Sequence, residues 1–218
     1  MGETDTQIAF LTDFDDTAAV QNVAEMILEE FGEPTWKDIR SRFRNGEMTL
    51  KTYQELAFQE ITVHPSILGE YAAGNVDLRP GFYEVYEYCA ESHIPLVVVS
   101  LGLDLYIKPV LAHNGFHDVP VHCVETRYED GELTYLYRDV KSGKEDEGNS
   151  KGLVVQSFKR QGCQVVYAGD GRSDFEAARE ADIVIARSIL IDECKAHNIN
   201  YSVFEDFYDI LQILKSVS

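Results

Sequence analysis

Within the first 78 residues, the spacing of apolar side chains changes once, from a continuous run to the three- and four-residue intervals of helices. Residues Ile8 to Leu11 are all apolar and lead into acidic positions, which predicts a buried strand over 7–13. From Val20 onward, apolar residues recur at three- and four-residue intervals, with glycine, proline and asparagine at the breaks. Because no strand pattern interrupts these helices, the segment 18–78 is expected to form a small helical subdomain.

After Arg79-Pro80-Gly81, short apolar runs alternate with helical patterns. The run from Ile94 to Ser100 is almost entirely apolar, which is typical of a strand buried on both faces. Turn residues at 129–132 predict a hairpin over 125–138. Further predicted strands are 119–124, 164–168, 183–186 and 201–204, and predicted helices are 81–93, 103–114, 151–161, 173–181, 188–197 and 205–216.

Alternating strands and helices favour an α/β fold. We expect a doubly wound parallel sheet with helices on both of its faces. The core would comprise 1–17 and 79–218, and the helical segment 18–78 would be an inserted cap subdomain.

Polar side chains follow several of the predicted strands at the point where each strand ends. Because ligands bind beyond the carboxyl ends of the strands in open α/β sheets, these residues are expected to line one crevice. A lysine at the predicted start of a helix joins them. The set is Asp13, Asp15, Ser100, Leu101, Lys151, Asp170 and Asp174.

The chemistry of this set suits a phosphate and a divalent cation. Converging carboxylates repel one another unless a cation lies between them, and Mg²⁺ prefers such oxygen ligands. A serine hydroxyl and a lysine ammonium suit phosphate oxygens. A carboxylate can also attack phosphorus, and a second carboxylate can act as general acid. Each motif alone is compatible with an ordinary turn or a solvated side chain; the combination, in this order, is not.

The motifs resemble those of the haloacid dehalogenase (HAD) superfamily of phosphatases over essentially the whole chain. The matching segments are Asp13-Phe14-Asp15-Asp16-Thr17, Ser100, Lys151 and Gly169-Asp170-Gly171-Arg172-Ser173-Asp174. Segments 78–82, 97–107, 121–138, 148–152 and 204–207 are similar to the phosphoserine-phosphatase-like branch, which includes the methionine-salvage enolase-phosphate phosphatases.

The resemblance implies a role for each matching residue. It implies that Asp13 is the nucleophile and a Mg²⁺ ligand, and that Asp15 is the acid/base with its backbone carbonyl on the metal. Ser100, Leu101 and Lys151 would bind the substrate phosphate. Asp170 and Asp174 would complete the metal site, Asp174 by orienting its ligands. Thr17 would be structural.

Two positions depart from the family pattern. Asp16 stands where glycine is common, which is a frequent variant. Leu101 stands where a glycine commonly follows the serine. Its larger side chain would narrow the pocket, so the identity of the substrate stays open.

Charge narrows the choice of partners. Of the 218 residues, 38 are acidic and 19 basic, giving a net charge of −19. Nucleic-acid polymers and anionic membranes are therefore not expected as partners. A small anion would have to be bound locally, against the overall field of the protein.

Four dispersed cysteines indicate reduced thiols. The polar segment Met1 to Gln7 and the short apolar runs indicate a cytoplasmic protein. We expect a monomer or a homodimer.

The function predicted is a Mg²⁺-dependent phosphatase that hydrolyses a small-molecule phosphate ester through an aspartyl-phosphate. The alternatives are a phosphomutase using the same chemistry and a non-catalytic phosphate-binding protein.

In the cap, Arg40 and Arg44 share a helix face. They either meet an anionic part of the substrate or, as we favour, balance the glutamates of neighbouring helices. Trp36 and Phe43 are expected to pack inside the cap.

Overall fold

The computed structural model of the protein describes residues 7–217. Within this range the strands are β1 (Ile8–Thr12), β2 (Leu96–Leu103), β3 (Val121–Glu129), β4 (Glu132–Leu136), β5 (Gln164–Gly169), β6 (Ile183–Ala186) and β7 (Ser202–Val203). The helices are α1 (Val23–Phe31), α2 (Trp36–Arg44), α3 (Leu50–Gln59), α4 (Pro65–Asn75), α5 (Phe82–Glu91), α6 (Asp104–His113), α7 (Lys151–Arg160), α8 (Phe175–Glu180), α9 (Ser188–Ala196) and α10 (Phe207–Val217).

The strands form one sheet with the order β4-β3-β2-β1-β5-β6-β7. The β3–β4 pair is antiparallel, and the other pairs are parallel. β1 is central, and its side chains alternate between two apolar cores: Phe10 packs with one, and Ala9 and Leu11 pack with the other. Helices α5, α6 and α10 cover the first face, and α7 and α8 cover the second. The predicted doubly wound sheet is confirmed.

Helices α1 to α4 lie between β1 and β2 in the chain. The segments that enter and leave this insertion run side by side: Ala19 and Leu78 form an antiparallel bridge, and the Arg79 N–H donates to the Ala18 carbonyl at 2.8 Å. The pairing lies at the predicted boundaries, 18 and 78. That the four helices form a separate cap stays a prediction.

Helix α4, the last helix of the insertion, packs closely against α6 at Gly69. A Cβ at Gly69, on α4, would lie 2.8 Å from the Leu105 carbonyl oxygen and 2.9 Å from Pro109 Cγ, both on α6. The two helices therefore approach as closely as they do because residue 69 has no side chain.

The observed end of β2 differs from the predicted one. β2 was expected to end at Ser100, but it resumes pairing at Leu103. Apart from Gln7, the polar N-terminal residues lie outside the described range. Among residues 7–217, no helix has the length and apolar character needed to cross a bilayer.

The α4–α6 contact can be tested by two alanine substitutions in one helix. Gly69→Ala should lower the free energy of unfolding by about 1–3 kcal/mol, because the added methyl group overpacks the contact. Gly74→Ala meets nothing within 4 Å. It should be neutral or stabilise by up to about 1 kcal/mol, through helix propensity. Urea unfolding measures both, and equal effects would contradict the close approach.

Candidate active site

Asp13 follows directly after the buried strand β1, and its own N–H donates to the Ala168 carbonyl at 2.9 Å. The chain then makes one wide turn over Phe14–Ala18. Asp16 takes a φ of 59° in this turn, which explains why glycine is common at this place and why a short polar residue can replace it. The Arg79 guanidinium holds the turn by donating to the carbonyls of Asp16 and Thr17 at 2.8 and 2.9 Å.

Lys151 is the buried cation of the site. It begins helix α7, whose N-cap is the Ser150 side chain, which accepts from the Leu153 N–H at 3.3 Å. Its Nζ lies 2.6 Å from Asp13 Oδ1 and 2.6 Å from Asp174 Oδ1, and its side chain is 2% exposed. The Lys151 ammonium therefore bridges two carboxylates, Asp13 after β1 and Asp174 after β5.

Asp174 is fully buried and is held from four directions. Its Oδ1 accepts from Lys151 and from the Tyr167 hydroxyl at 2.6 Å, and its Oδ2 accepts from the backbone N–H groups of Asp170 and Gly171 at 3.0 and 2.8 Å. A Cβ at Gly169 would lie 2.5 Å from Asp174 Cγ, so glycine is needed there.

Three carboxylates meet around the single ammonium. Oxygen atoms of Asp13, Asp170 and Asp174 lie within 4.8 Å of one another. Burial and the adjacent Asp174 raise the pKa of Asp13 well above its usual value. Burial and Asp174 also raise the pKa of Asp170 to about 7. Burial alone would lower the pKa of Lys151, but the two carboxylates beside it raise it. The cluster therefore has more negative charge than its own cation offsets.

Ser100 and Leu101 lie in a bulge of β2. Between Val99 and Leu103, β2 has two more residues than its partner β3, where His122 pairs with Val99 and Val124 pairs with Leu103. The Ser100 hydroxyl oxygen accepts from the Gly102 N–H at 2.9 Å. The bulge thus brings Ser100 and Leu101 to the wall of the cavity that also contains Asp13 and Lys151.

Asp15 faces the same cavity. Its Oδ1 accepts from the Val23 N–H at 2.7 Å, and its Oδ2 accepts from the Tyr106 hydroxyl at 3.2 Å. Burial raises the pKa of Asp15 to about 6, against the opposing effect of the hydrogen bond from Val23. The structure thus brings all seven residues predicted from sequence together, and it adds Tyr106, which lies in the matching segment 97–107 but was given no role there.

The cavity has a volume of about 190 Å³ and a second wall formed by the helical insertion. Phe43 and Tyr53 stack in this wall, with ring centroids 5.0 Å apart. Trp36 is packed inside the insertion as predicted, whereas Phe43 faces the cavity, because the α2–α3 contact turns its ring toward Tyr53. Arg40 forms an ion pair with Glu25, and Arg44 Nη2 lies 3.8 Å from the same carboxylate. These ion pairs agree with the charge-balancing interpretation of the two arginines.

Helix α3 also contacts the core beside the cavity. The buried Gln54 amide donates to the Leu101 carbonyl at 3.2 Å. The Thr49 hydroxyl and the Lys51 ammonium donate to the backbone carbonyls of Asp146 and Glu145 at 2.9 and 3.1 Å. The acidic loop 145–147 therefore contacts the start of α3 through its backbone.

Comparison with known proteins identifies the family. A sequence profile of the haloacid dehalogenase-like hydrolases matches residues 10–179, so the chain belongs to that family. It is 26% identical to 2-hydroxy-3-keto-5-methylthiopentenyl-1-phosphate phosphatase of Brevibacillus brevis, over 97% of this chain and 96% of that protein. It is also 26% identical to the protein of that name from Bacillus cereus, over 95% of this chain and 96% of that protein.

Solved structures share the fold. A phospho-aspartyl intermediate analogue of phosphoserine phosphatase superposes with a TM-score of 0.73 at 20% identity, covering 96% of this chain and 99% of that chain. A substrate-bound phosphoserine phosphatase complex superposes with a TM-score of 0.70 at 20% identity, covering 95% and 98%. These neighbours confirm the α/β fold that the motifs predicted.

The carboxylate cluster predicts how stability depends on pH when metal is chelated. The pKa of Asp170 is about 7 in the folded protein against a usual 3.8, so the folded state binds more protons than the unfolded state between these values. In EDTA, the free energy of unfolding should therefore fall as pH rises from about 4 to about 7. Asp170→Asn should flatten this dependence, by on the order of a few kcal/mol across the window.

Urea titrations at several pH values measure this effect. Asp192→Asn serves as control, because the Asp192 side chain is 80% exposed and its removal should leave the slope unchanged. An Asp170→Asn variant with the wild-type slope would contradict the assignment of the raised pKa.

Proposed function

We propose that the protein is a Mg²⁺-dependent phosphatase that hydrolyses a small-molecule phosphomonoester through an aspartyl-phosphate on Asp13. The observation that carries the proposal is the Lys151 ammonium, which lies 2.6 Å from both Asp13 and Asp174 at the base of the cavity. Acid, nucleophile and phosphate-binding groups converge on the same cavity, as phosphoryl transfer requires.

The donor set fits Mg²⁺. Three clustered carboxylates with only one ammonium between two of them leave uncompensated negative charge, and oxygen donors are those that Mg²⁺ prefers. Asp13, Asp170 and the backbone carbonyl of Asp15 would hold the ion. The four hydrogen bonds that Asp174 accepts favour the orienting part of its predicted role. A bound Mg²⁺ would offset the carboxylates and neutralise charge on the phosphate.

The residues of the chain account for the chemical steps. A carboxylate oxygen of Asp13 attacks phosphorus, and Lys151 and the Ser100 hydroxyl stabilise the phosphoryl oxygens. Asp15 donates a proton to the leaving oxygen, and its raised pKa, about 6, suits that task near neutral pH. Asp15 then takes a proton from the water that hydrolyses the aspartyl-phosphate.

The cavity wall favours a substrate whose organic part is partly apolar and carries little charge. Phe43 and Tyr53 present stacked rings, and Glu25 is paired with Arg40 rather than free for a ligand ammonium. The Bacillus cereus and Brevibacillus brevis relatives are named for a methylthiopentenyl phosphate, which has an apolar end. We propose a substrate of this kind in preference to phosphoserine, whose amino and carboxylate groups are both charged.

The nucleophile can be tested with p-nitrophenyl phosphate. Asp13→Asn should lower Mg²⁺-dependent phosphate release on the order of 10³-fold or more, because the amide cannot form the acyl phosphate. EDTA should abolish the wild-type activity, and Asp192→Asn should leave it unchanged. Release of phosphate that survives Asp13→Asn would contradict the mechanism. Without any release in the wild type, the non-catalytic alternative would stand, and isomer formation from a sugar phosphate would instead indicate a mutase.

The substrate class can be tested by comparing kcat/KM for the methylthiopentenyl phosphate and for phosphoserine. The former should be the better substrate. Phe43→Ala should raise its KM about tenfold, since about 1–2 kcal/mol of apolar contact is lost, with a smaller effect on phosphoserine. A preference for phosphoserine, or an equal effect of Phe43→Ala on both esters, would argue against this substrate class.

A further inference from the structure

Tyr106, to which the sequence motifs assign no role, contacts the candidate general acid Asp15. The residue lies on α6, is fully buried, and reaches the wall of the cavity with its hydroxyl. That hydroxyl donates to Asp15 Oδ2 at 3.2 Å, across 91 positions of the chain.

The bulge of β2 is built around this contact. A Cβ at Gly102 would lie 2.1 Å from the Tyr106 hydroxyl oxygen and 3.0 Å from Asp15 Oδ2. A side chain at residue 102 would therefore separate the two groups. Leu101, by contrast, is tolerated at the preceding position. The second residue after Ser100 must be glycine so that tyrosine can reach the carboxylate.

The two oxygens of Asp15 have different surroundings. Oδ1 is held by the Val23 N–H at 2.7 Å, at the start of α1. Oδ2 accepts from the Tyr106 hydroxyl, and both residues line the cavity. Because the backbone at the start of α1 engages Oδ1, Oδ2 is the oxygen whose direction the tyrosine hydroxyl fixes.

We propose that Tyr106 is a positioning residue for proton transfer from Asp15 to the leaving group, an inference that rests on the proposed phosphatase function. In this step the O–H bond of protonated Asp15 breaks, and its proton passes to the bridging ester oxygen. That oxygen departs with the electron pair of the P–O bond. Tyr106 keeps its own proton and donates it to the Asp15 carboxylate as negative charge develops there.

The test uses two esters that differ in their need for an acid. p-Nitrophenolate leaves readily without a proton, whereas the alkoxide of glycerol 2-phosphate does not. Tyr106→Phe should lower kcat/KM for glycerol 2-phosphate by about tenfold or more, the worth of one hydrogen bond to a charged group. It should change kcat/KM for p-nitrophenyl phosphate by less than about twofold, because kcat/KM reports the step in which the leaving group departs and not the later hydrolysis, in which Asp15 acts as base for both esters.

The matched control is Tyr86→Phe, which removes a tyrosine–carboxylate hydrogen bond of 2.9 Å to Asp118, outside the site. It should leave the ratio of the two kcat/KM values at the wild-type level. Because this ratio is measured on one sample, it does not depend on the folded fraction of a variant. A Tyr106→Phe ratio equal to that of the wild type overturns the inference. Failure of the proposed function would be seen separately, as absence of Asp13-dependent phosphate release in the wild-type protein.

Discussion

The ion pairs of Lys151 are the interaction on which the rest of the site depends. Two carboxylates that follow different strands approach one ammonium at 2.6 Å each, in a region where all three side chains are almost completely buried. Buried charges are stable only when they are paired and hydrogen-bonded. Ser150 therefore has to begin α7 where it does, and Gly169 has to leave room for Asp174. The third carboxylate, Asp170, is largely buried beside Asp174, and burial together with that neighbouring charge raises its pKa.

This arrangement explains how a chain with a net charge of −19 can bind an anion. The overall field repels phosphate, but field strength at the site is set by the nearest groups, because burial reduces screening. At the site, the Lys151 ammonium is already in place, and the negative charge of the carboxylates that it does not neutralise favours binding of a divalent cation. Phosphate would then meet two positive groups. The basic side chains of Arg40 and Arg44 do not add to this attraction, since Glu25 engages both.

The sequence predicted the residues that follow strands and missed those that reach the site from elsewhere. Asp13, Ser100 and Asp170 could be found because parallel strands end at one edge of the sheet, so local patterns suffice to place them. Lys151 could be found from its place at the start of a helix. Tyr106 and Gln54 could not, because each lies on a helix face where tyrosine or glutamine is ordinary packing, and only the tertiary fold brings it to the cavity. The bulge of β2 was missed for a related reason: two extra residues within an apolar run leave the alternation unreadable. Gly102 was a local signal of a close approach between groups. Its φ is not positive, so its glycine is explained by the nearby Tyr106 hydroxyl and Asp15 carboxylate and not by backbone conformation.

The contacts of α3 connect the two walls of the cavity. Gln54 donates to the carbonyl of Leu101, next to Ser100, and Thr49 and Lys51 bind the loop that precedes Lys151. Any outward movement of α3 would therefore break hydrogen bonds to both segments at once. Because the same movement would open the apolar wall of Phe43 and Tyr53 to water, access to this wall and access to Lys151 are coupled through α3. In the proposed mechanism, an organic group that fills the space against these rings would keep α3 in contact with Leu101 and would limit the entry of water to Asp13.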